Sequence, residues 1–559
     1  MNEKCFCHLN GYRVKDSVAR QQIEQIGITP QMFGAVGNGI HDDSSSLYAL
    51  FDNITDNTTV VFPKGHYVIK SFPEDFDGRM NCTVKNGLRS WFLSVVNKKN
   101  VTIDLNDSII ELKVMGCLPS GYGFPNYELF NFVDCENFVI KNGTIIGDRT
   151  THFYETPDIQ NTGATHEWGC GISIASSGYY ERDKSNPVQS VVGNQTGFNC
   201  SGHIFNLKIY DFIGDGITVK NGMSEGEINI ENCEIYKCRR QGISIGDSDV
   251  VIINNCHIHH IGVECDGIIG TAPMLGIDIE PRSGTYCVNK VEIKNTIIDN
   301  TGGGGVICDT GYLKQNDVIV IDEYGRKKTA SLVKEIMIFD CKTDTIQINA
   351  RCNYGHQYEY YSTPIIKNCI INHQDSHLSL GAGRYITISN GVFDSCTFNA
   401  GPNEMYTRTE NKCNYLFFVD KNFIEEAKDP TIKLYNCVIN ADEDVPIADV
   451  SLINSIVNGG KISNLINQAN KHIKNCYGTT FNNCQIRTTN GFNHDVTPVT
   501  YYQPKYSYVN CLFLNCIESA DSSHHPLKFR NCYFNTRLYE KGYYESCIFE
   551  DEITDVVSE

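Results

Sequence analysis

Apolar and polar residues alternate strictly through the middle of this chain, and each alternating run follows a glycine. GCGISI (169–174), GDGITV (214–219), RQGISI (240–245) and LGIDIE (275–280) are four copies of one Gly–apolar–polar–apolar phrase. A period of two buries one face of a strand, and no helical period of 3.6 competes with it. The phrase recurs at roughly 25-residue spacing, the mark of a solenoid built from one repeated strand-and-turn unit. The predicted fold class is therefore all-β: a single-stranded right-handed parallel β-helix, each coil stacking its strands on those of the coil before.

The bends carry a second repeat. Asn precedes Cys at Asn232-Cys233, Asn255-Cys256, Asn368-Cys369, Asn436-Cys437, Asn483-Cys484, Asn510-Cys511 and Asn531-Cys532. An Asn at each bend can hydrogen-bond its neighbours along the stack, while a small apolar Cys fills the corner. The total of 25 cysteines is odd, and no CxxC pair or Cys/His cluster has zinc spacing. The expectation is free thiols in a chain that folds in a reducing cytosol rather than a disulfide framework.

Three segments organise the chain. Residues 1–27 form a polar leader, with a short helical stretch at GYRVKDSVARQQIEQIG (11–27). Residues 28–400 hold the β-helix. It opens with ITPQMFGAVGNGIHDDSSSLYALFDN (28–53), where Gly34, Gly37 and Gly39 suit a tight turn and Asp42, Asp43 and the serines can cap a helix from about Ser44. TTVVFPKGHYVI (58–69) reads as a strand pair about a turn at Pro63-Lys64-Gly65. The stretches 176–199 and 309–334 are too long and polar for bends and are expected to protrude, where binding specificity tends to sit. In residues 401–559 the Asn-Cys phrase persists while the Gly–apolar strand disappears, which suggests a degenerate continuation and a polar C-terminal cap over the otherwise open coil.

Forty-seven basic residues against 66 acidic ones give a net charge of −19. That field argues against nucleic acid and anionic membrane as partners. MNEKCFCHLN is no secretory signal, and no apolar run reaches the length of a membrane span. Folding in the cytoplasm is expected, with any route out of the cell a non-secretory one.

FGAVGNGIHDD (33–43) resembles the FGAxGDGxxDD motif that opens the β-helix in the pectate-lyase-like superfamily, with Asn38 where Asp is usual. IIGDRTTH (145–152), HEWGCGISI (166–174), GDGITV, RRQGISI (239–245) and APMLGIDIEP (272–281) are similar to phrases of that superfamily in phage tailspikes and gut-bacterial proteins. The likeness covers about residues 28–310, and LNGYRVKDSVARQQI (9–23) resembles the N-terminal segment of phage and prophage tail-associated proteins. The resemblance implies action on polysaccharides, as lyase, hydrolase or epimerase, or binding alone. It also implies a virion-tail location and a homotrimer of the tailspike type.

Aligned on Gly171, Gly216, Gly242 and Gly276, the strands put Ser173, Thr218, Ser244 and Asp278 in one outward column. Ala175, Lys220, Gly246 and Glu280 form the next. Asp278 and Glu280 thus share a face, about 6.5–7 Å apart, a separation compatible with acid/base carboxylates. They read equally as solvated charges, with Glu280 paired to Lys220 or Arg282. Small residues in the neighbouring coils leave a trough that a polymer could occupy. Asp215, at the bend entering its strand, is either a turn residue or a substrate contact. Arg239, Arg240 and Gln241 lie between the acidic coils. The arginines neutralise like charge or recognise a substrate carboxylate or sulfate.

His166, Glu167 and Trp168 precede the first coil, the indole being a sugar-stacking platform or a packing plug. Asp148 and Arg149, with His152, read as an ion pair at a coil exit. His257-x-His259-His260 alternates along a strand without a Cys or carboxylate at matching spacing, so no metal is assigned.

Two enzymatic chemistries follow. A hydrolase would use Asp278 and Glu280, or one of them with Asp215, as acid and base or nucleophile. A lyase would need Arg240 or His166 as base and a neutraliser of the uronate carboxylate, such as a divalent cation like calcium. A hydrolase requires no cofactor. The alternative from another class is a non-catalytic tail or surface protein that binds glycans in the same groove.

Overall fold

The computed structural model describes residues 8–9, 12–13, 27–73, 91–113, 127–152, 154, 169–175, 200–220, 226–281, 287–309, 320–321, 327–328, 332–349, 364–373, 386–388, 391–400, 417–418, 432–447, 450–463, 480–487, 492–493, 508–514, 528–535 and 543–550. These fall into two compact units, Met1–Glu292 with Thr296–Gly303 and Val318–Val333, and Ile293–Asn295 with Gly304–Asp317 and Lys334–Glu559. Both consist of parallel strands stacked coil upon coil, the right-handed parallel β-helix that the repeats predict.

The first unit opens with a 3₁₀ turn, Pro30–Phe33, ended by Gly34 at φ 98°. A helix follows at Ser44–Asp52 and buries Leu47, Leu50 and Phe51. Phe51 meets Phe130 edge-on at 5.9 Å, so the helix covers the core of the early coils. The two aspartates of the opening motif divide their work. Asp42 Oδ1 accepts from Ser44 N at 3.1 Å, at the start of the helix. Asp43, fully buried, turns back instead and accepts from Val36 N at 2.7 Å and Val68 N at 3.4 Å. A buried carboxylate is tolerated there because backbone amides satisfy it. Thr59–Val61 and His66–Ile69 do not pair with each other. Each pairs in parallel with Thr102–Leu112, as consecutive strands of one coil.

Six stacked strands form one face of this unit: β1 (Trp91–Val96), β2 (Tyr127–Val133), β3 (Gly169–Ala175), β4 (Asp215–Lys220), β5 (Gln241–Asn254) and β6 (Leu275–Ile279). Their register matches the alignment on glycine, pairing Ser173 with Thr218, Thr218 with Ser244, and Ser244 with Asp278. Beyond Val219 a bulge sets Lys220 against Asp247 rather than Gly246. Ile172, Ile174, Ile217, Val219, Ile243, Ile245, Ile277 and Ile279 are fully buried. Each such side chain contributes about 1.5–3 kcal/mol. The repeated glycine has a steric cause. A Cβ on Gly171 would lie 2.6 Å from Gly216 O, and one on Gly242 2.5 Å from Gly276 O.

The bends explain the Asn-Cys phrase. Asn142, Asn206, Asn232 and Asn255 all sit at φ between 51° and 59°. Most L-residues lose about 1–2 kcal/mol in this left-handed region, whereas Asn enters it routinely. Their amides also ladder: Asn206 Nδ2 donates to Asn142 Oδ1 at 2.9 Å and Asn255 Nδ2 to Asn232 Oδ1 at 2.6 Å. Cys233 and Cys256 are buried beside them, and every described cysteine is a free thiol.

The second unit repeats the scheme. Asn510 Nδ2 donates to Asn483 Oδ1 at 3.0 Å, and Asn531 Nδ2 to Asn510 Oδ1 at 3.2 Å. Its last coils replace the aliphatic core with aromatic stacks, Phe513 on Phe534 at 4.6 Å and Phe534 on Phe549 at 4.8 Å. The Gly–apolar strands belong to the other sheet, whose last described strand is Phe417–Phe418, so the phrase fades while strands of this sheet continue to stack.

Of the two expected protrusions, 176–199 lies outside the described residues. Within 309–334, Val320–Ile321 pairs antiparallel with Lys327–Lys328 as a small hairpin. Among the described residues no helix is long and apolar enough to cross a membrane.

Candidate functional site

Four of the residues singled out in sequence meet in one buried chain across β4, β5 and β6. Arg240 Nη1 donates to Asp215 Oδ1 at 3.2 Å and Oδ2 at 3.0 Å, and to Gln241 Oε1 at 3.0 Å. Gln241 Nε2 in turn donates to Asp278 Oδ2. Stacking produces this contact: Asp215 begins β4, Arg240 lies at the bend before β5, and Gln241, which begins β5, reaches the next coil. Asp215 therefore is not satisfied by turn amides. Its carboxylate faces Arg240, with Thr218 Oγ1 at 3.4 Å.

Asp278 is only 3% exposed, which corrects the expectation of an open surface carboxylate. Alternation along a strand sets which side of the sheet a side chain takes. It does not set whether that side meets water. Glu280 is exposed, its amide donating to Ile245 O at 2.9 Å so that β6 stays in register to its end. Burial drives the Asp278 carboxyl up to about 8, and the Glu280 charge adds to this while Arg240 opposes it. Asp278 is thus protonated at neutral pH. Burial also raises Asp215, but Arg240 and Lys220 pull it back toward ionisation. Burial raises both carboxyls, and Arg240 opposes the rise at each, with Lys220 doing so at Asp215.

The outward column extends the site toward β1. Asn131 and Ser173 are fully buried, yet Asn131 Oδ1 and Nδ2, Ser173 Oγ, Ser94 Oγ and Glu128 Oε2 have no hydrogen-bond partner among the described residues. Lys220 Nζ lies 3.7 Å from Glu128 Oε1, not beside Glu280. Glu128 and Asn131 escaped the sequence reading because β2 lacks the glycine used for alignment. The recoverable signal was register, since Ser173 pairs with Asn131 and Cys170 with Glu128.

Other candidates separate from this chain. Arg239 is 2% exposed; its Nε donates to Ile269 O at 2.9 Å and its guanidinium lies 5.0 Å over the Tyr154 ring. That placement is a core position, away from a surface ligand. Asp148 and Arg149 do not pair with each other. Asp148 Oδ2 meets His152 Nδ1 at 2.8 Å, and Tyr127 OH donates to its Oδ1. Arg149 Nη2 bridges Asp211 and Asp266, each at 2.7 Å. His166, Glu167, Trp168 and Arg282 lie outside the described residues.

Comparison with known proteins locates the chain among relatives without assigning its chemistry. No known family profile matches it. It is 32% identical over 231 residues to the uncharacterized protein YclG of Bacillus subtilis, covering 40% of this chain and 32% of that protein. It is 29% identical over 168 residues to the SPbeta prophage-derived uncharacterized protein YorA of the same organism, covering 28% and 24%. The matched stretches thus span about a third and a quarter of these relatives.

Its structural neighbours are β-helix proteins. The mannuronan C-5 epimerase AlgE4 A-module of Azotobacter vinelandii aligns over 86% of this chain and 98% of its own, at 12% identity and TM-score 0.36. Tailspike gp49 of Acinetobacter baumannii bacteriophage Fri1, a capsular polysaccharide depolymerase, aligns over 78% and 59%, at 12% identity and TM-score 0.37. The pre-mature bacteriophage phi29 gene product 12 aligns over 93% and 60%, at 13% identity and TM-score 0.46. No residue role is transferred from any of them.

Proposed function

We propose that this chain is a glycan-active β-helix protein that hydrolyses a polysaccharide at the Asp215–Arg240–Gln241–Asp278 chain and the adjoining Glu280. The observation that carries the reading is the division between carboxyls: Asp278, raised to about 8, keeps a proton at neutral pH, while Asp215 faces a guanidinium. In this reading Asp278 is the general acid that protonates the leaving glycosidic oxygen. Gln241 occupies its Oδ2 and leaves Oδ1 to carry the proton. Glu280, exposed and two residues on, acts as base for the attacking water. Residues i and i+2 of one strand are about 6.5–7 Å apart along the backbone, so the two carboxyls project from the same side of β6.

Hydrolysis is preferred over elimination because Arg240, a base that a lyase would call on, donates to Asp215 and Gln241. Incubation with neutral and acidic polysaccharides separates the outcomes. New reducing ends without the ultraviolet absorbance of an unsaturated product support the proposal, and that absorbance would overturn it in favour of a lyase. Asp278→Asn and Glu280→Gln should each lower cleavage at least about 100-fold while leaving glycan retention intact. The burial of Asp278 and Gln241 counts against their contact with a substrate and supports a second reading, in which the chain binds glycan without cleaving it. Retention with no new reducing ends on any polymer would support that reading.

A further inference from the structure

A different face of the first unit brings together donors that linear spacing keeps apart. Strands Glu234–Tyr236, His257–Ile261 and Ile297–Thr301 stack in parallel, pairing Glu234 with His257, Tyr236 with His259, and His259 with Asp299. His257 and His259 alternate on the outward side of their strand, while Ile258 between them is fully buried. Residues i and i+2 of a strand are about 6.5–7 Å apart, yet these two rings lean together to a centroid separation of 4.1 Å. One ligand atom from each of Glu234, His257 and His259 then lies within 4.8 Å of the others.

We propose that Glu234, His257 and His259 form a site for a transition-metal dication of the zinc type, held across neighbouring coils. The spacing suits an ion better than direct hydrogen bonds. His259 Nε2 is 3.4 Å from Glu234 Oε1, longer than the 2.7–2.9 Å of a charge-assisted bond. With metal–ligand bonds of about 2.0–2.2 Å, two ligands of a tetrahedral ion sit about 3.3–3.6 Å apart.

The rings are also held in place from behind. His260, at φ 54°, leaves the strand path and its Nδ1 meets His259 Nδ1 at 2.8 Å, fixing which nitrogen faces Glu234. Tyr236 stacks on His259 at 5.0 Å. Asp299, on the next coil, has its Oδ2 3.4 Å from His257 Nε2. The one cation beside these groups among the described contacts is Lys208, whose Nζ takes the other Glu234 oxygen at 2.8 Å. Lys208 is 60% exposed and leaves Oε1 facing His259. Two imidazoles with a carboxylate select borderline ions such as zinc, cobalt or nickel over calcium and magnesium, which take oxygen ligands.

Isothermal titration of the full chain with zinc chloride at pH 7.5 tests the site. His257→Gln and His259→Gln should each weaken binding at least about tenfold and Asp299→Asn should weaken it less, whereas His203→Gln, at a histidine whose Nε2 lies 3.2 Å from Glu231 and outside the cluster, should leave it unchanged. Excess calcium or magnesium should not displace the zinc. Protons compete with the metal for the imidazole nitrogens, so binding should weaken on acidification. Absence of zinc binding, or equal affinity in wild type and both histidine variants, would overturn the proposal. If a histidine variant does not fold, cobalt(II) spectra of the wild type decide. Weak visible bands alone indicate nitrogen and oxygen ligands, whereas strong thiolate charge-transfer absorption would assign the metal to the cysteines and refute the site.

Discussion

Replacing Asp278 by Asn isolates one buried proton. Asn has nearly the same volume, and its Oδ1 can still accept from Gln241 Nε2, so packing and the hydrogen bond both survive. What changes is titration. Asp278 rises from 3.8 to about 8 on folding, so between those values the folded chain holds a proton that the unfolded chain has released. Wild type therefore loses stability relative to Asp278→Asn as pH rises through this window, by about 1.4 kcal/mol per pH unit. From pH 5 to 7 the relative loss is about 2.7 kcal/mol. An unfolding entropy of about 2.1 cal/mol/K per residue over roughly 300 residues converts this to a shift of about 4 °C.

Differential scanning fluorimetry of both proteins from pH 5 to 9 measures the effect as a difference, which cancels groups titrating in both. The melting temperature of wild type minus that of the variant should fall by about 4 °C between pH 5 and 7 and level off above about pH 8. A difference that stays constant across pH 5–7 would show that Asp278 is ionised throughout. The general-acid assignment would fall with it.

Asn232→Ala should cost about 2 kcal/mol, by forcing an alanine into the left-handed region and removing the acceptor for Asn255 Nδ2. Asn232→Gly should recover about half of that in urea melts, and equal losses for the two variants would contradict the ladder account. Thiol titration of denatured, unreduced protein should detect nearly all 25 cysteines, and reductant should leave the melting temperature unchanged. Titration of only a few would show that the corner cysteines are oxidised.

The β-helix was legible in the sequence because a solenoid repeats its constraints. Each coil needs a small residue where backbones approach, as at Gly171 and Gly242, and an Asn where the chain turns left-handed, as at Asn232 and Asn255. Inward and outward positions followed from the same period, so the column Ser173–Thr218–Ser244–Asp278 could be aligned without coordinates. Local geometry dictates these features, and local geometry is written residue by residue.

What needed the tertiary structure was everything that depends on a third neighbour. Alternation placed Asp278 outward, but only packing made it buried and raised its carboxyl to about 8. Arg240 was legible as a neutraliser of acid. Its choice of Asp215 rather than Asp278, with Gln241 relaying between them, came from the reach of long side chains across a coil. Glu128 and Asn131 joined the face through register alone, from a strand without the repeated glycine. Glu234 came beside His257 because one coil length separates them in the chain and a single strand spacing separates them in space. Burial, charge state and ligand sets belong to such juxtapositions, and a linear pattern carries them only when the coil lengths are already known.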